Sequence, residues 1–204
     1  KGSRKKTSNS FEFTMWWAAA NNKPIRDLVP FTSTFFAKQS LLNILSKYCV
    51  FTEEELLLVM RPYQIVATEA ILNRILISEN NKKMLGTIKA GGYVWHTTGS
   101  GKTLTSFKTA RLASDMEGVD KVLFVVDRKD LDYQTMREYN SFEEGAVDGS
   151  DTTRVLSAHL GDPSKRILVT TIQKLSHFIK KNPKHEVYDQ HIVIIFDECH
   201  RSQF

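Results

Sequence analysis

Three short apolar runs constrain this chain more than anything else in it: "KVLFVVD" (121–127), "RILVTTI" (166–172) and "HIVIIFDE" (191–198). A strand with one wet face alternates apolar and polar side chains, whereas a strand covered on both faces reads as a continuous apolar, β-branched run. The segments between and before these runs are patterned as helices: "KTLTSFKTARLASDMEG" (102–118), which ends near a Gly, "RKDLDYQTMREYNSF" (128–142) and "QKLSHFIKK" (173–181). "GGYVWH" (91–96) is expected to be one more short strand, and "SFEEGAVDGSDTT" (141–153) a polar loop. Strand and helix alternation of this kind implies right-handed crossovers and a mostly parallel sheet with helices on both faces, an α/β fold. Ligands in such sheets bind outside the carboxyl ends of the strands.

The part before residue 91 is organised differently. "FTSTFFAKQSLLNILSKYCV" (31–50) supplies a Ser or Thr cap and then Leu41, Leu42, Ile44 and Leu45 on one helical face. In "TEEELLLVMRPYQIVATEAILNRILIS" (52–78), Pro62 suits the first turn of a helix carrying Ile65, Ala70, Ile71, Leu72, Ile75 and Leu76. Residues 1–10 are basic and polar, and "FEFTMWWAAANN" (11–22) is aromatic. It reads either as a buried segment of neighbouring structure or as a basic and aromatic surface for nucleic acid. The chain opens without Met and closes on the polar "DECHRSQF", so it is expected to be an excerpt of a longer polypeptide.

With 204 residues there is room for one substantial α/β domain and a flanking piece. Twenty-eight Lys and Arg against 23 Asp and Glu leave a net charge of +5, a mild bias toward a polyanionic partner. Two cysteines, Cys49 and Cys199, make neither a disulfide framework nor a zinc cluster, and fit a reducing cytoplasm. No apolar run approaches the roughly 20 residues of a membrane span. His185 and His191 flank "EVYDQ", which is not a metal-ligand spacing.

Chemistry concentrates in "HTTGSGKT" (96–103) and "IIFDECH" (194–200). Gly99 and Gly101 permit backbone conformations that a Cβ forbids, so successive N–H groups can face a phosphate. Lys102 adds a cation, and Thr103 puts a hydroxyl at the start of the next helix, where Mg²⁺ and the helix N-terminus meet the anion. His96 holds the place of the first Gly in the usual phosphate-loop pattern, but the phosphate-binding roles lie in the second half. Asp197 and Glu198, two carboxylates at a strand end, suit metal-assisted phosphoryl transfer.

Together these motifs resemble motifs I and II of superfamily 2 helicases and translocases. "RPYQ" (61–64) is similar to their Q motif, "FVVDRKDLDYQT" (124–135) to motif Ia, and "VTTIQKL" (169–175) to the strand-end motif before motif II. The wording and order look most like the motor (R) subunit of type I restriction enzymes. The resemblance implies a RecA-like P-loop lobe over residues 33–204, ending after motif II, with 1–32 as a linker or the tail of a nuclease domain. It implies ATP and Mg²⁺ as cofactors. Thr98, Gly99, Ser100 and Gly101 would form the loop, Lys102 would hold the β and γ phosphates, and Thr103 and Asp197 the metal. Glu198 would be the catalytic base, Gln64 the adenine reader, Arg128, Thr171 and Gln173 the DNA-backbone contacts, and His200 a coupling residue. The plain alternatives are a surface ion pair for Arg128 and satisfied turns for Thr171 and Gln173.

In that family the partners are double-stranded DNA and the methyltransferase and specificity subunits of a bacterial restriction complex. This chain shows no D…E-x-K nuclease arrangement and no second lobe, so alone it is expected to bind ATP weakly and not to translocate. A strand-separating helicase of the same superfamily, and a nucleotide-gated scaffold without turnover, are the competing readings.

Overall fold

The computed structural model describes residues 15–52, 54–97, 99–127, 129–142, 147–149 and 152–197, the side chains of 129–134 excepted. Its first element, α1 (Leu28–Phe35), collects the aromatic residues before it. The Trp17 ring stands edge-on to Phe35 at 5.2 Å, and its indole N–H donates to Thr34 Oγ1 at 3.0 Å. This helix runs through the boundary that the resemblance places between residues 32 and 33. The extended backbone of Ala37 (ψ 132°) then separates it from α2 (Lys38–Lys47), so the one helix expected over 31–50 is two.

β1 (Cys49–Phe51) and β2 (Leu57–Val59) form an antiparallel hairpin. Strands of three residues are too short to show a period, which is why the sequence pattern did not reveal them. α3 (Pro62–Asn80) opens on its proline as expected, because a first-turn residue needs no N–H.

Residues 91–97 depart from expectation. No ladder forms along "GGYVWH", and Tyr93 and Trp95 are 88% and 87% exposed. A strand needs a neighbour's edge, and this segment pairs with none of the described strands.

From there the predicted alternation holds. α4 (Lys102–Ser114) leads to β3 (Lys121–Val126), α5 (Lys129–Phe142) and a two-residue β4 (Asp148–Gly149) within the expected loop. α6 (Thr153–Gly161), β5 (Ile167–Thr171), α7 (Ile172–Lys181) and β6 (Ile192–Phe196) complete the order. The four long-range strands pair in the order β4-β5-β3-β6, all parallel. Register sets Val126 beside Thr171 and Val125 beside Phe196, so the carboxyl ends of β3, β5 and β6 are level.

Alternation along β3 divides the core. Val122, Phe124 and Val126 pack with Phe107, Ala110 and Tyr139 on the side of α3, α4 and α5. Leu123 and Val125 face Leu156, Leu160 and Phe178 on the side of α6 and α7. All six β3 residues are buried, as the continuous apolar run predicts, and each large side chain so buried contributes about 1.5–3 kcal/mol. The exception in type is Lys121, whose Nζ donates to the carbonyls of His159 (3.3 Å), Asp162 (2.6 Å) and Lys165 (3.0 Å). That cation closes the carboxyl end of α6. β6 pairs with β3 alone among the described strands, and its Ile194 and Phe196 are 46% and 49% exposed. No helix among the described residues is long and apolar enough to cross a membrane.

Candidate functional site

The chain path determines where the loop must lie. α4 has 13 residues, about 20 Å at 1.5 Å each, and β3 has six, about 20 Å at 3.3 Å each. Because α4 packs on β3 and turns directly into its amino end, its own N-terminus stands over the carboxyl edge of the sheet. The same edge holds Asp197, one residue past β6, with its N–H donating to Val125 O at 3.1 Å.

The loop itself has the predicted backbone. Gly99 and Gly101 both have positive φ, 76° and 79°. Gly101 is the N-cap of α4 in the left-handed region, and no side chain caps the helix there. The positive φ favours glycine at 101, and a Cβ there would stand 2.6 Å from Gln64 Nε2 and displace that amide. Ser100 N–H donates to Thr97 O at 3.2 Å, closing the turn.

The first turn of α3 is bound to this loop. The Tyr63 hydroxyl donates to Ser100 O at 2.7 Å. Gln64 Nε2 donates to Gly101 O at 3.0 Å and to Ser100 O at 3.3 Å, while Oε1 accepts the Arg61 N–H at 2.8 Å. Gln64 is only 3% exposed. The side chain expected to read adenine is turned toward the loop and bonded to it. Next to it, Arg61, Tyr63, Val66, Tyr93, Trp95 and His96 line a cleft of about 750 Å³, and Tyr63 and His96 meet edge-on at 5.9 Å.

A second polar link reaches the start of α4 from α5. Tyr139, fully buried, donates to Ser106 Oγ at 2.8 Å, and Ser106 Oγ donates to Thr103 O at 3.0 Å. Burial pushes the Tyr139 phenol far above its ordinary range; the Ser106 bond opposes this, and the charges of Asp197 and Glu138 add to it. Tyr139 remains a neutral donor at any physiological pH.

The DNA-contact expectations fare differently. Thr171 is fully buried, and its hydroxyl accepts the Lys174 N–H at 3.2 Å as the N-cap of α7. The satisfied-turn alternative describes this hydroxyl. Gln173 is exposed at the carboxyl edge, with Nε2 donating to Asp127 O at 3.1 Å. Thr98, Arg128, Glu198 and His200 lie outside the described residues.

The donor set fits a nucleotide with a divalent cation. Thr103 and Asp197, both half-buried, offer oxygen at one edge, and Mg²⁺ prefers a few protein oxygens supplemented by water and phosphate. The open helix N-terminus and its two left-handed glycines suit the anion. Residue spacing did not point to Tyr63, Ser106 or Tyr139; of these, only Tyr63 carried a signal, its place beside Gln64 in "RPYQ".

Comparison with known proteins agrees with this geometry. The SWI2/SNF2 ATPase family matches residues 63–204. A putative type I restriction enzyme MpnIIP endonuclease subunit, C-terminal part, of Mycoplasma pneumoniae is 48% identical over 93% of this chain and 95% of its own length. The type I restriction enzyme SsaAORF53P endonuclease subunit of Staphylococcus saprophyticus is 43% identical over 93% of this chain. The SauCOLORF180P endonuclease subunit of Staphylococcus aureus is 44% identical over the same share. The chain spans 20% of the length of each of these two staphylococcal relatives. The open N-terminus of α4, the carboxylate at the end of β6 and these relatives agree: the chain belongs to the endonuclease subunits of type I restriction enzymes and carries their SWI2/SNF2 ATPase region.

Proposed function

We propose that this chain is the nucleotide-binding lobe of an ATP-driven translocase of duplex DNA, serving cleavage by a restriction complex. The observation that carries the reading is the uncapped N-terminus of α4 over the sheet edge where Asp197 stands. In this reading the N–H groups of residues 99–103 and the Lys102 ammonium hold the β and γ phosphates. Thr103 and Asp197 hold Mg²⁺, which neutralises phosphate charge when bound. Glu198 orients the attacking water and takes its proton. Gln173 and Arg128 meet the DNA backbone by hydrogen bonds and charge.

Residues 33–204 form the first motor lobe and 1–32 the end of a preceding unit. ATP turnover requires a second lobe closing on the loop, so this piece alone binds ATP weakly. The substrate is duplex DNA, with methyltransferase and specificity subunits as partners.

The test is ATP hydrolysis by the full-length polypeptide with its partner subunits, with and without duplex DNA carrying the recognition site. DNA is expected to raise the rate severalfold, and Glu198→Gln to remove nearly all of it. Equal rates with and without DNA, unchanged by Glu198→Gln, would sink the proposal. Displacement of a bound third strand without separation of the duplex supports translocation; release of a labelled strand of the duplex instead favours a helicase.

A further inference from the structure

We infer that Tyr63, together with Gln64, is a positioning residue that fixes which way the Ser100–Gly101 peptide points. The inference rests on the nucleotide-binding reading and goes beyond it. In a trans peptide the carbonyl and the following N–H point in opposite directions. Holding Ser100 O outward therefore aims the Gly101 N–H the other way, toward the concave side of the loop. Two donors hold that oxygen, the Tyr63 hydroxyl at 2.7 Å and Gln64 Nε2 at 3.3 Å.

Gly101 is what makes such a clamp necessary. At φ 79° it sits in a region open to glycine, and a rotated peptide would carry it to negative φ, which glycine enters as readily. The loop backbone alone does not choose between the two orientations. In the rotated one, a carbonyl dipole faces the phosphate and an anion-binding N–H is lost. The first turn of α3 makes the choice: Gln64 ties Gly101 O as well, and is itself oriented by the Arg61 N–H. The short "RPYQ" motif thereby acts on the phosphate end of the ligand.

A base-reading role and a loop-positioning role predict different losses. We would measure, on the full-length polypeptide, displacement of a fluorescent ADP analogue by ATP, GTP and tripolyphosphate, which has no base. Tyr63→Phe removes only the hydroxyl and is expected to weaken ATP and tripolyphosphate alike, by about threefold to tenfold. Gln64→Met should weaken both further, and neither variant should move the ATP-to-GTP preference. Ile75→Val, a core change in the same helix, controls for lost stability: with a similar fall in melting temperature it should keep wild-type affinity.

Unchanged tripolyphosphate binding with an altered ATP-to-GTP preference would overturn the inference in favour of base reading. Tyr63→Phe without effect, while Lys102→Ala still abolishes binding, would overturn it and leave the nucleotide site standing. If Ile75→Val weakens tripolyphosphate as much as Tyr63→Phe does, the role is structural only and the inference fails. A wild-type protein whose binding Lys102→Ala leaves unchanged would remove the nucleotide site and the inference with it.

Discussion

Two helices begin at the same edge of the sheet and begin in opposite ways. α7 is closed by its own sequence: Thr171, at the end of β5, turns its hydroxyl back onto the Lys174 N–H. α4 starts on Gly101, which has no side chain to turn back onto the first turn of the helix. Both start at the carboxyl edge, α4 on one face of the sheet and α7 on the other. The two starts differ at one residue, a capping hydroxyl in α7 and a left-handed glycine in α4. The lesson extends to the opposite edge, where the carboxyl end of α6 is closed by Lys121.

The sharpest way to break the contrast is Gly101→Val. A β-branched residue is disfavoured at φ 79° and would collide with Gln64 Nε2, so nucleotide affinity should fall about 100-fold, roughly 2.7 kcal/mol, in an equilibrium titration. Retained affinity would mean the loop is not held by glycine geometry.

Next in size is Lys121→Met, which leaves buried carbonyls at the end of α6 without their donor. Unfolding in urea should show a loss of about 2–3 kcal/mol, with nucleotide affinity unchanged. The same residue gives a pH signature. Burial lowers the Lys121 pKa from its ordinary 10.5, opposed by Asp162 and Asp120. Between the lowered folded value and 10.5 the unfolded chain binds more protons, so stability rises with pH across that window. The Met variant should lack that rise; a parallel slope in both proteins would remove Lys121 as its source.

Thr171→Ala should cost about 1 kcal/mol through the lost cap, and Thr171→Gly less. Neither should change DNA affinity in a filter-binding or anisotropy assay, since the hydroxyl is buried. A fall in DNA affinity larger than the fall in stability would restore the expectation that Thr171 touches DNA. Ser106→Ala, which removes the acceptor of the Tyr139 hydroxyl, should likewise cost about 1 kcal/mol of stability in the same urea unfolding assay.

Legibility in the sequence followed the range of the forces involved. β3 and β5 were readable because burial on two faces leaves an unbroken apolar run, β6 from its apolar run although Ile194 and Phe196 stay half-exposed, and α4 because glycines and a lysine mark its start. The segment 91–96 reads as a strand from its composition, yet a strand exists only with a neighbour, and pairing is not a local property. The β1–β2 hairpin and β4 were too short to show a period. The role of Lys121 had no sequence signal; only the folded path brings three carbonyls from residues 159, 162 and 165 around it. For Gln64 the motif led to the right neighbourhood, but its bond to the loop across 37 residues has no trace in local spacing.

One consequence concerns handling rather than catalysis. β6 presents an unpaired edge to solvent among the described strands, and the half-exposed Ile194 and Phe196 lie along it. An apolar strand with free N–H and C=O groups is a template onto which another chain can add. The 204-residue polypeptide taken by itself should therefore self-associate with rising concentration, and the place to add a charge that keeps it dispersed is Ile194.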